Sequence, residues 1–225
     1  MKIKPILFNT EMVRAILDGR KICTRRLVKL PSYIKQQEDG LYTLYAEGTC
    51  YENQYLEEII SYIKQPYQPG DILYVRETWE RFECWNCEGD ERGNCSKEPK
   101  KSVLDKTCGC YMYRATDEIS GDAKWHPSIH MPKEAARIWL KVTDVRVERL
   151  QDITSEQICR EGVEVEYPHV LNGEEKRYAF SALWNSTIKK SDIDRYGWNA
   201  NPYVWVIEFE RCEKPEGVYV DGLVA

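Results

Sequence analysis

The 225-residue chain has room for one domain with insertions, and its 42% apolar content is enough for a packed core. A net charge of -5 and a pI near 5.5 exclude bulk electrostatic coating of nucleic acid, so any such contact must be local. No apolar run reaches membrane-spanning length and "MKIKPILFNTEM" lacks a signal-peptide pattern, so a cytoplasmic protein without a membrane partner is expected.

"NTEMVRAILDGRK" predicts a short helix, capped by Thr10 and stopped at Gly19. "GRKICTRR" follows, and five of residues 20–29 are Lys or Arg. Residues 31–66 are rich in Tyr and Glu and carry no consistent period. Pro69-Gly70-Asp71 predicts a turn, and Ile72–Val75 begins a strand. Residues 81–124 are polar, Cys-rich and poor in aliphatics, as an inserted module would be. "HPSIHMPKEAARIW" reads as a loop leading into a helical turn, with Pro132 near its start. "RIWLKVTDVRVERL" predicts a long strand whose apolar set changes face near Asp144, as at a bulge. "DITSEQICREGV" predicts a helix with Thr154 and Gln157 as a capping box and Gly162 as its stop. A helix around "YAFSALWNSTI", a turn at "YGWNANP" and a closing strand "YVWVIEFER" complete the pattern. Tyr203, Trp205, Ile207 and Phe209 share one face of that strand, which reads as core.

Strands separated by single short helices predict a small mixed β-barrel of the α+β class. Its core covers 1–80 and 125–211, with a Tyr-rich insertion at about 31–66, the Cys-rich insert at 81–124 and a tail at 212–225. Rossmann and P-loop glycine fingerprints are absent.

Cys84 and Cys87 form a CxxC pair, followed by Cys95, Cys108 and Cys110. Nine Cys without an export signal fit a reducing compartment, where clustered Cys bind metal more often than they pair. Four of these five would close a tetrahedral zinc site, supplying folding free energy that a core-poor segment lacks. Four thiolates leave no open position for water, so the zinc is structural. Free surface thiols or a disulfide are the alternative. Cys23, Cys50, Cys159 and Cys212 read as ordinary residues.

In "GRKICTRR", Arg25 and Arg26 offer planar forks of donors suited to a phosphate or carboxylate. A sharper reading is nucleophilic catalysis: the Thr24 hydroxyl is inert until a base takes its proton, and Lys21 serves once burial or cationic neighbours lower its pKa. Residues three apart point to opposite faces of a straight strand, so the chain must turn between them. The alternative is a solvated charged loop, which spacing alone favours.

"GRKICTRR" resembles the G-x-K-x-x-T-x-R signature of ASCH domains, a branch of the PUA-like fold. "GDILYV", "VTDVRVERLQDITSEQICREGV" and "YVWVIEF" resemble further elements of that family. "MVRAILDGRK", "VRETW" and "PSIHMPKEAARI" resemble a phage- and prophage-associated branch. The resemblance implies a small β-barrel with a cleft that binds a nucleoside, nucleotide, modified nucleobase or RNA, with DNA not distinguished. A bacterial N4-acetylcytidine amidohydrolase shares the motif. Its Lys base falls on Lys21 and its Thr nucleophile on Thr24, while its Glu acid falls on Glu161. Amide hydrolysis on an acylated nucleobase is the resulting enzyme expectation. A non-catalytic RNA- or DNA-binding module and a phage assembly factor are the alternatives.

Arg26 lies inside the motif, and Arg76, Glu77, Trp79 and His130 stand where that enzyme has different residues. Glu77 and Trp79 share a strand face: Trp79 is placed to stack a base and Glu77 to accept from its amine. The bland alternatives are a core Trp79 and a Glu77 paired with an Arg. His130 binds a ligand or holds its loop. For the cysteine insert, elemental analysis of the purified chain should find one zinc per chain; a metal-free folded chain overturns the zinc expectation.

Overall fold

The computed structural model describes residues 1–29, 34–38, 41–46, 49–83, 100–101, 108–118, 124–165 and 174–215. The strands are β1 (Ile3–Leu7), β2 (Cys23–Leu27), β3 (Ile34–Gln36), β4 (Tyr42–Ala46), β5 (Thr49–Gln54), β6 (Ile72–Arg76), β7 (Trp79–Glu83), β8 (Lys100–Lys101), β9 (Cys108–Tyr113), β10 (Trp139–Arg149) and β11 (Tyr203–Cys212). The helices are α1 (Thr10–Leu17), α2 (Leu56–Ile59), α3 (Ser155–Arg160), α4 (Glu174–Thr187) and α5 (Ile193–Tyr196). The strands form a five-stranded sheet, β1-β6-β10-β11-β2, and two three-stranded sheets, β3-β4-β5 and β7-β9-β8. This is a mixed α+β architecture. The closed barrel expected from the sequence does not form among the described residues. Closure requires the outermost strands to pair, and β1 and β2 end the sheet instead. No helix among the described residues is long and apolar enough to cross a membrane.

The chain divides into two compact units. Unit 1 comprises Met1–Ile22, Gly70–Val142 and Phe209–Ala225. Here β1 runs parallel to β6 from Ile3↔Ile72 to Leu7↔Arg76. Buried Asp71 fastens β1, accepting from the Lys2 N–H at 2.9 Å and from Lys4 Nζ at 2.7 Å. Asn9, not Thr10, caps α1: its Oδ1 accepts from the Met12 N–H at 2.9 Å, while Thr10 already lies in the first turn. Gly19 then takes φ +76°, a left-handed stop, and the Ala15 carbonyl accepts from both Arg20 and Lys21 N–H groups. The unit's core packs Ile72, Tyr113, Met131, Ala135, Ala136 and Trp139 together. Pro132 precedes the 3-10 turn Lys133–Ala135, as expected.

Of the cysteine insert, Cys84, Cys87 and Cys95 lie outside the described residues. Cys108 and Cys110 lie on β9, which pairs with both β7 and β8. Among the described residues, no group of three or more His, Cys, Asp or Glu could hold a metal ion.

Unit 2 comprises Cys23–Pro69 and Thr143–Glu208. The Tyr-rich stretch contributes the β3-β4-β5 meander and α2, which the sequence pattern does not reveal. The predicted capping box holds: Thr154 Oγ1 accepts from the Gln157 N–H at 3.2 Å, and Gln157 Oε1 accepts from the Thr154 N–H at 2.9 Å. Leu150, Ile153, Ile158, Phe180, Trp184, Val204 and Val206 form the core between the strands and the helices. Arg177 on α4 donates to the carbonyls of Gln151 and Ile153, fixing α4 to the turn before α3. Phe180→Ala opens a cavity in this core. It should cost about 3–5 kcal/mol, read as a lower midpoint in urea unfolding, with an unchanged midpoint contradicting the packing described.

Candidate functional site

Strand β2 carries the second half of "GRKICTRR" into unit 2. Its antiparallel register with β11 sets Thr24 opposite Ile207, Arg25 opposite Val206 and Arg26 opposite Trp205. Strand alternation then points Arg25 to the same face as core Val206, and Thr24 and Arg26 to the other. These positions are not a solvated loop. Thr24 and Arg25 are each 3% exposed or less, and Glu161 is also buried.

Arg25 is the hub. Its Nη1 donates to Glu161 Oε1 at 3.1 Å. Its Nη2 donates to Glu148 Oε2 at 3.0 Å and to Gln157 Oε1 at 3.1 Å. Glu161 is the C-cap of α3, with Gly162 in the left-handed conformation behind it, so the helix stop itself delivers this carboxylate to β2. Arg26 differs: burial pushes its guanidinium pKa down, while the charges of Glu161 and Tyr67 push it back up. Tyr67 is pushed up by burial, with Arg26 opposing.

The network extends outward along β10. Arg146 donates to Glu148 Oε1 and Glu208 Oε1, both at 2.6 Å, and to Asp144 Oδ2 at 2.9 Å. Arg160 holds the other oxygen of Glu208 at 2.7 Å. Burial works against the Arg146 charge, but these three carboxylates outweigh it and push its pKa up. Burial likewise raises Glu208, and the bonds from Arg146 and Arg160 bring it below the ordinary carboxylate range.

Lys21 falls in unit 1, where it is buried with its Nζ 5.5 Å from the Phe8 ring centroid. Arg76, Glu77, Trp79 and His130 also belong to unit 1. Glu77 is buried and accepts both arms of Arg137 at 2.9 Å, and Arg137 sits 4.0 Å over the Tyr113 ring. Arg76 donates to the Met131 carbonyl at 2.7 Å. Trp79 lies between Tyr111 and His126, packs against the unit 1 core, and keeps its indole N–H buried without a partner. His130 is exposed in a 3-10 turn.

Sequence reasoning did not find Arg25 as the Glu161 partner, nor Glu148, Gln157, Arg146 or Arg137. One signal was available: Asp144, Arg146 and Glu148 recur at every second residue, the spacing that shares a strand face.

No family model matches the chain, and no curated relative matches it. A solved structure, an ASCH domain from Lactobacillus crispatus JV V101, aligns with 93% of this chain and 79% of its own. Identity is 10% and the TM-score 0.38, a likeness too loose to carry any argument. What the described residues define directly is an α+β protein whose second unit encloses an arginine–carboxylate network.

The sign of one pH effect follows. A carboxyl whose folded pKa is depressed contributes stability above its unfolded pKa, and loses it as pH falls through the folded value. Glu208→Gln should therefore flatten the acid limb of stability below the ordinary carboxylate range, measured by denaturant unfolding across that window. An acid limb as steep as wild type would remove Glu208 from the account.

Proposed function

We propose that this is an ASCH-type chain whose unit 2 binds a nucleotide, a modified nucleobase or an RNA segment, with Thr24, Arg26 and Glu161 as polar contacts. The observation that supports it is the burial of Thr24, Arg25 and Glu161, with Glu161 accepting a hydrogen bond from Arg25. A charged run with no task stays solvated, because burying each ion costs several kcal/mol on the order of magnitude. Three acceptors already occupy Arg25, so the network favours an uncharged base over a phosphate.

The finer reading adds amide hydrolysis on an acylated nucleobase, and rests on the motif. Lys21 Nζ takes the Thr24 proton, and Thr24 Oγ attacks the amide carbonyl. Protonated Glu161 gives its proton to the leaving amine; water then cleaves the acyl–threonine ester, its proton restoring Glu161 while the proton held on Lys21 returns to Thr24. Glu161 Oε1 accepts from Arg25, so this role makes Glu161 a relay that takes up a proton before delivering one.

Exposed Tyr45, Tyr51, Tyr55 and Tyr62 in unit 2 favour a second reading, a non-catalytic strand binder that stacks bases on these rings. Incubation with N4-acetylcytidine separates the two. The enzyme reading expects acetate and cytidine, lost in Lys21→Ala and Thr24→Ala. No deacetylation by wild type sinks it. The strand binder instead expects oligonucleotide affinity that falls about 10³-fold or more between 50 and 200 mM salt and weakens in Arg26→Ala.

A further inference from the structure

Resting on the reading of unit 2 as the ligand-binding body, we propose that Arg146 is a positioning residue for that site. It acts through Glu148 and Arg25 on Glu161. Glu148 is the bridge: one carboxylate oxygen accepts from Arg146 Nε at 2.6 Å and the other from Arg25 Nη2 at 3.0 Å. Arg25 Nη1 then reaches Glu161 at 3.1 Å. The run from Arg146 to Glu161 is three charge-assisted hydrogen bonds without a break.

Exposure falls along it, from 33% at Arg146 through 20% at Glu148 to 1% at Arg25. The wet end is worth little to stability, since partly exposed ion pairs are screened. The dry end is where orientation matters, because a buried fork that loses one partner must turn to find another. Arg25 has no reserve: its Nε–H is buried without an acceptor, so the plane of its guanidinium is set by its Nη1 and Nη2 partners alone. Glu161 holds the Nη1 position from the end of α3. Glu148 and Gln157 share the Nη2 position, and Arg146 fixes Glu148 by engaging Asp144 and Glu208 at the same time. A lysine ammonium lacks the planar fork that serves three carboxylates together.

Two readouts on the full chain test this. In side-chain ¹⁵N NMR, wild-type Arg25 should show distinct, slowly rotating Nη groups, and Arg146→Met and Glu148→Gln should each average them. With N4-acetylcytidine, Arg146→Met should lower kcat by on the order of 10- to 100-fold. KM should stay within about twofold and the unfolding midpoint should barely move. Arg146→Lys should restore little of that kcat. Unchanged Arg25 signals in Arg146→Met overturn the proposal, as does an unchanged kcat. If wild type turns over nothing while the Arg25 signals average as expected, positioning stands and the hydrolase reading fails.

Discussion

A guanidinium almost fully removed from water needs acceptors close around it, and Arg25, met at both Nη groups, sets this requirement for unit 2. Glu148 comes from β10, Gln157 and Glu161 from α3, and Arg25 itself from β2. Each element is held to the others by an ion that cannot be left alone. Removing one partner of such a set costs more than the set adds to stability, because the remaining charge stays buried. The apolar core of Ile158, Phe180 and Val206 supplies the packing, and the arginine supplies the register in which α3 lies on β2.

Unit 1 meets the same constraint with different residues. Buried Glu77 takes both arms of Arg137, whose plane lies over Tyr113, while Asp71 secures β1 through Lys2 and Lys4. Bidentate pairing fixes both distance and plane, so these contacts orient segments that have little helix or sheet of their own, such as the loop around Met131. Arg76 and the Glu77 N–H both reach back to Met131, one to its carbonyl and one to its sulfur.

Local chemistry was legible in the sequence and distant pairing was not. The capping box of Thr154 and Gln157, the stops at Gly19 and Gly162, and the strands at β6, β10 and β11 rest on neighbours within a turn or a pleat. The partner of Arg25 is 136 residues away, and no period or spacing joins them. The meander in the Tyr-rich stretch was missed because its alternation is weak and a register shift interrupts it between Tyr42 and Leu44. The N-terminal strand was missed because parallel pairing with β6 leaves no hairpin turn to read. Thr10 was taken for the cap although Asn9 is the stronger cap residue of the two; both types are favoured there, and backbone geometry decides between neighbours. The burial of "GRKICTRR" could not be read from its composition, since compensating carboxylates lie on other elements.

Gln157 shows how tightly these levels are joined. Its side-chain oxygen accepts the Thr154 N–H that starts α3 and the Arg25 N–H that docks α3 on the sheet. A capping box takes glutamine or glutamate with equal ease. Here the two are not interchangeable. A glutamate would cap the helix as well, yet would bring a third carboxylate to one buried guanidinium and upset the charge balance that keeps Glu161 in place. A substitution that looks conservative by every local rule therefore has a distant electrostatic cost, and a designer or an evolving lineage could vary this helix start freely only after changing the arginine beneath it.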